Sequence, residues 1–198
     1  AVLGGGEVLH RVDGERRRLA LDLAVGEVVV AELVEGVVAH REQSAREGVA
    51  TEGIVTDKER LTALVLLAVE AEGVSPMIFY RSDCADMALC EEDIDEAFIR
   101  SSGAVLVSGT HFSKSNTEAA QRKAIRIAKA NGRKVVFDID YRPNLWGLAG
   151  HAEGFERYVK SDRVTEKMKQ TLSDCDLIVG TEEEILIGSG ADDVLGAL

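Results

Sequence analysis

Between Ala104 and Val179 the apolar residues follow two alternating rhythms. Ala104-Val105-Leu106-Val107, Val135-Val136-Phe137 with Ile139, and Leu177-Ile178-Val179 are short, nearly unbroken apolar runs, the pattern of strands buried in a parallel sheet. Between the first two, Ala120, Ala124, Ile127 and Ala128 recur at three- and four-residue intervals. Ser115-Asn116-Thr117-Glu118 ahead of them has the S-x-x-E form of a capping box, so the pattern predicts a helix that starts at Ser115 and ends at Gly132. A second helix is predicted from about Arg163 to Leu172. Strand, helix, strand, helix, strand is the alternation of an α/β fold with a mostly parallel sheet.

Upstream, residues 41–48 read as the tail of a helix stopped at Gly48. Leu61 to Val69 and Met77 to Tyr80 are β-type runs on either side of the turn-prone Glu72-Gly73-Val74-Ser75-Pro76, which predicts a hairpin. A short helix is expected across Glu91–Ser101, with Ile94, Ala97 and Phe98 on one face. Glu182 and Glu183 suit a helix start, Gly188 to Asp192 reads as a loop, and Asp193 to Leu198 as the start of another helix. Residues 1–40 resist assignment. Their Gly4-Gly5-Gly6 lacks the Lys-Ser/Thr that a phosphate-binding P-loop needs.

The chain has 198 residues and a formal net charge of -12. That charge excludes nucleic acid and anionic membrane surfaces as expected partners, because both are bound by clustered Lys and Arg. It leaves small anionic ligands open, since these are held locally by helix N-termini, metal ions and a few arginines. Cys84, Cys90 and Cys175 form an odd set without a C-x-x-C pair, which fits structural thiols in a reducing, cytoplasmic setting. No signal peptide or membrane span is visible.

Chemistry concentrates where the second strand ends. Val135-Val136-Phe137-Asp138-Ile139-Asp140-Tyr141-Arg142-Pro143-Asn144-Leu145-Trp146 releases two acids, an arginine and the only tryptophan at one end of an apolar strand. By the period of two, Asp138, Asp140 and Arg142 share a face, and ligands of open parallel sheets bind beyond the carboxyl ends of the strands. From spacing alone, a substrate site and a structural ion pair between Asp138 and Arg142 are equally good readings.

The segment from Phe137 to Trp146 resembles the D-x-N/D-x-R-x-x-L-W element of ribokinase-like (PfkB-type) carbohydrate kinases. Arg60-Leu61-Thr62, Phe79-Tyr80-Arg81, Cys84-Ala85-Asp86-Met87-Ala88-Leu89, Ser108-Gly109-Thr110-His111 and Gly180-Thr181-Glu182-Glu183-Glu184 extend the resemblance, and narrow it to the 5-dehydro-2-deoxygluconokinase subgroup. It runs from about residue 41 to 198; residues 1–40 do not match.

The resemblance implies a ribokinase-like three-layer sandwich with a small β lid whose strands fall near residues 54–81. It implies ATP and Mg2+ as cofactors, and a terminal hydroxyl of a sugar acid, 5-dehydro-2-deoxy-D-gluconate, as phosphoryl acceptor. A 2-keto-3-deoxygluconate kinase is the neighbouring reading, and a non-catalytic sugar-acid binding remnant the reading from another class. Arg142 and Arg81 are the expected carboxylate contacts, since planar guanidinium groups grip carboxylates through paired charge-assisted bonds. Tyr80, Asp138 and Asp140 complete the substrate set. Thr181, standing where the family usually has Asn, and Glu184, acting on the metal through water, belong to the nucleotide and metal region.

The family's catalytic Asp lies in a C-terminal G-x-G-D element. Gly188-Ser189-Gly190-Ala191-Asp192 comes too early for that element, so no catalytic residue is nominated and this chain alone is expected to be inactive. A truncated parallel sheet is also expected to self-associate through its unpaired edge. A homo-oligomer is an open expectation for the natural protein.

Overall fold

The computed structural model describes residues 7–12, 15–20, 27–30, 36–69, 77–81, 83–149 and 158–197. Strands β1 (Glu7–Val12) and β2 (Glu15–Ala20) pair antiparallel, with Val12 opposite Glu15. Strand β3 (Glu27–Val30), helix α1 (Gly36–Arg46), β4 (Leu64–Val69) and β5 (Met77–Tyr80) follow. β3, β4 and β5 form an antiparallel sheet in that order, with Leu64 opposite Tyr80. The predicted hairpin is therefore β4–β5. Gly48, at φ 81°, follows α1 in the left-handed conformation that glycine adopts without strain.

The rest is strand and helix in alternation. After α2 (Glu96–Ser101) come β6 (Ala104–Ser108), α3 (Ser115–Ala130), β7 (Lys134–Asp138), α4 (Asp162–Leu172), β8 (Leu177–Val179), α5 (Glu182–Ser189) and α6 (Val194–Ala197). β6, β7 and β8 form a parallel sheet in chain order, with Val136 opposite both Leu106 and Leu177. β7 alternates in burial: Val135 and Phe137 are fully buried and Lys134 is exposed. α3 presents Ala124, Ile125 and Ala128 to the same core, and α4 adds Val164 and Met168. Phe112 and Phe137 meet edge to face with centroids 5.7 Å apart. Each such fully buried large side chain contributes roughly 2–3 kcal/mol of transfer free energy.

α3 and α4 also touch each other. Lys167 of α4 pairs with Glu118 of α3, Arg122 pairs with Glu118 at 2.9 Å, and Lys129 of α3 pairs at 2.6 Å with Asp174, just past the end of α4. The two helices thus lie side by side, and Leu106 of β6, 66% exposed, points away from the core.

Four local expectations are corrected. The helix expected over Glu91–Ser101 begins only at Glu96, because Asp95 caps it by accepting from the N–H groups of Ala97 and Phe98; a single 3-10 turn occupies Glu91–Asp93. Its buried residue is Ile99, whereas Phe98 is exposed. At α3 the capping box does not form: Lys114 is the N-cap, and the Thr117 hydroxyl instead donates to the carbonyls of His111 and Lys114. Gly188 and Ser189 belong to α5, and Gly190, at φ 66°, ends that helix in the left-handed conformation.

Candidate functional site

Three strand ends build the site. At the end of β6, the buried Gln121 of α3 accepts from the N–H of Ser108 at 2.7 Å and donates to its carbonyl at 2.9 Å, so an amide side chain continues the pairing where the strand runs out. The next residue must be Gly109, because a Cβ there would lie 2.0 Å from the carbonyl oxygen of Ile139. That approach sets the loop Gly109–Ser113 against the segment leaving β7.

Past Asp138 the β7 chain does not continue as a strand. Asp140 has φ 30°, a left-handed setting that an L-residue other than Asn or Asp adopts at a cost. Thr110 fixes it: its hydroxyl lies 2.7 Å from the Asp140 carbonyl and 2.8 Å from Asp140 Oδ2. The other oxygen of Asp140 pairs with Arg142 Nη2 at 2.6 Å. The ion pair is therefore Asp140–Arg142, and the expected shared strand face of Asp138, Asp140 and Arg142 is replaced by a bend that brings the last two together. Tyr141 between them is buried, its hydroxyl donating to the Val159 carbonyl at 2.7 Å, and burial pushes its phenol up to about 12.

At the end of β8, Thr181 and Glu184 form a full capping box: the Thr181 hydroxyl accepts from Glu184 N–H and Glu184 Oε2 accepts from Thr181 N–H at 2.9 Å. Glu184 Oε1 accepts from the backbone N–H of Tyr141 at 3.0 Å and lies 3.7 Å from Arg142 Nη1. Glu184 is thus a buried clamp between the ends of β7 and β8. Asp138 stands beside these acids, and burial, with Asp140 and Glu184 nearby, pushes its carboxyl above the usual range.

Arg81 belongs to a second cluster. Its guanidinium lies 2.7 Å from Asp86 Oδ2, and His111 Nε2 lies 3.9 Å from the same oxygen. All three residues line a cleft of about 890 Å³ that also takes in Lys58, Arg60 and Val65, between the end of the β4–β5 hairpin and the loop after β6. Arg60 in this wall pairs with Asp57 at 2.9 Å and Asp83 at 3.2 Å. The Tyr80 side chain lies outside the described residues.

The structure thus brings Arg142, Asp140, Asp138, Thr181 and Glu184 together and sets Arg81 apart with Asp86. The sequence reading missed Gln121 and Thr110, which act only through backbone groups distant in sequence. It also missed Asp86, whose signal was its place five residues after Arg81. Among the described residues no group of three His, Cys, Asp or Glu side chains is arranged to hold a metal ion.

A parallel α/β sheet with acids and an arginine gathered beyond its strand ends, beside a cleft lined by residues of both charges, has the layout of a small-molecule-binding α/β protein. The chain belongs to the pfkB family of carbohydrate kinases, whose model matches residues 38–197. It is 39% identical over 138 residues to a 5-dehydro-2-deoxygluconokinase from Halalkalibacterium halodurans, and 34% identical over 138 residues to one from Geobacillus kaustophilus. Each alignment covers 69% of this chain and 38% of the relative, so the chain spans under half the length of the curated relatives it matches.

Among solved structures, a PfkB protein from a Polaromonas species aligns with TM-score 0.67 at 22% identity, over 81% of this chain and 50% of that one. The 2-dehydro-3-deoxygluconokinase from Thermotoga maritima aligns with TM-score 0.65 at 20% identity, over 78% and 44%. The ATP-bound fructokinase from Xylella fastidiosa aligns with TM-score 0.58 at 23% identity, over 75% and 43%. The fold is ribokinase-like.

Proposed function

We propose that the natural protein containing this chain is a cytoplasmic kinase that uses ATP and Mg2+ to phosphorylate the terminal hydroxyl of 5-dehydro-2-deoxy-D-gluconate. The observation that carries this reading is the 39% identity to a relative of that name. Two arginines near the strand ends, Arg81 paired with Asp86 and Arg142 with Asp140, are consistent with an anionic sugar as ligand. In this reading Arg81 in the cleft wall meets the substrate carboxylate, a ligand suited to the paired donors of guanidinium, and Arg142 contacts the substrate from its separate cluster. Tyr80 walls the sugar.

Phosphoryl transfer needs acceptor, phosphate and metal held in line, with charge neutralised as it shifts. Asp138 and Asp140 shape the phosphate and metal region, and Asp140 holds Arg142 in place. Both Glu184 oxygens already accept a backbone N–H, which leaves them lone pairs for an ordered water and suits an outer-shell contact with Mg2+. Mg2+, when bound, neutralises the phosphate charge. Thr181 and its neighbours at the start of α5 present the positive end of that helix to the nucleotide region. The proton-accepting group is not among these residues, so the 198-residue chain alone is expected to be inactive.

ADP release by the natural protein tests the reading, with 5-dehydro-2-deoxygluconate, 2-keto-3-deoxygluconate and ribose compared at saturating Mg-ATP. Preference for the first supports it. Preference for the second moves the substrate to the neighbouring keto-sugar acid, and no turnover with any favours a sugar-acid binding protein.

A further inference from the structure

Asp86 is half satisfied. Its Oδ2 receives Arg81 at 2.7 Å, but its Oδ1 is buried without a hydrogen-bond partner. An unpaired buried acceptor is costly, and a charged one more so, which leaves the site one donor short. His111 stands beside the same carboxylate, on the side of the oxygen that Arg81 already holds. It is tied to the Asp86 backbone, its Nε2 is 3.9 Å from Oδ2, and it lines the same cleft with only 22% of its side chain exposed. At 3.9 Å no hydrogen bond is made.

The charges facing His111 are Asp86 and Arg81 from the segment after β5 and Asp140 from the segment after β7, with Arg41, Asp57, Lys58, Glu59, Arg60 and Asp93 elsewhere in the cleft wall. Burial foremost, and then Arg81, hold the imidazole neutral against the pull of the two acids. A carboxylate arriving at Arg81 changes that balance twice. It competes with Asp86 for the guanidinium, and it adds a negative charge beside the imidazole.

We infer that His111 is a specificity-determining positioning residue: a carboxylate-bearing ligand at Arg81 draws one proton from solvent onto His111, which then donates to Asp86. A neutral sugar brings no charge and draws no proton. The inference rests on the sugar-acid reading of the cleft and adds the group that tells acid from neutral sugar. One loop does the coupling, since Gly109–Ser113 carries His111 into the Arg81 cluster and Thr110 into the Arg142 cluster.

The test is calorimetry on the natural protein at pH 7.5, titrating 5-dehydro-2-deoxygluconate and, separately, fructose in phosphate and in Tris, whose heats of ionisation differ. Buffer-dependent heat showing proton uptake with the acid and none with fructose is expected. The KM for the acid should also rise with pH by up to about tenfold per unit, the limit for one linked proton, while the KM for ATP stays flat. His111→Gln should abolish both effects and raise the acid KM, with kcat within about twofold. Buffer-independent heat in the wild type overturns the inference without any variant, as does uptake that persists in His111→Gln. Turnover of the acid without proton uptake overturns the inference alone; no binding of the acid overturns the sugar-acid reading with it.

Discussion

Asp138 is the residue whose environment works against its own charge. Burial, with Asp140 and Glu184 close by, raises its carboxyl above the ordinary value, so the fold opposes ionisation there. A carboxyl raised on folding subtracts from stability above its folded value, and the loss disappears as the pH drops below the ordinary carboxylate range. Asp138→Asn keeps the shape and removes the charge. It should stabilise the protein at pH 7, with the gain vanishing near pH 3 in urea titrations. A destabilised variant at pH 7 would sink this reading. If Asp138 also shapes the phosphate region, the same variant loses turnover, the trade between stability and activity met where a site keeps a strained group. That Asp138 mattered was legible from its place at a strand end. Its partner was not, because counting by twos assumes the strand continues, and the turn at Asp140 hands Arg142 to Asp140 instead.

At the scale of elements, the parallel strands were legible because buried strands of this kind announce themselves as unbroken apolar runs, as in Val135-Val136-Phe137. Helix ends were less so. Ser115 has the spelling of a cap, yet Lys114 is the N-cap, and the Thr117 hydroxyl is spent on the carbonyls of the preceding turn. What binds α3 to α4 lay beyond any local pattern. Burial alone would raise the Glu118 carboxyl, but Lys167 from α4 and Arg122 from its own helix outweigh it and hold the group below its usual value. A depressed carboxylate contributes stability above its ordinary value, and the contribution is lost as the pH falls through the folded value. Glu118→Gln should therefore cost about 1 kcal/mol at pH 7 and nothing once the pH is low enough to protonate the wild-type group. Thermal melts of both forms between pH 7 and pH 3 should converge at the acid end; parallel curves would mean that the pair contributes nothing.

At the scale of the molecule, the family and fold were legible from motifs spread over residues 41–198, whereas β1 to β3 were not, since nothing in residues 1–40 spells a familiar motif. The sheet they leave behind has a conspicuous border. Among the described residues β8 pairs with β7 on one side only, and its residues are open on both faces: Leu177 is 55%, Ile178 40% and Val179 47% exposed. An apolar strand with a free edge and no charge or proline to blunt it is a template for pairing with another chain. The 198-residue chain should therefore self-associate, its sedimentation coefficient rising across 1–100 µM. Ile178→Lys puts a charge in the middle of that strand without touching the buried core, so it should return the chain to monomer while leaving the melting temperature within about 2 °C. A wild-type chain that sediments as a monomer throughout would show that β8 is covered within the chain itself. Association that survives Ile178→Lys would move the contact to another apolar surface, of which Leu106 on the open sheet face is the next.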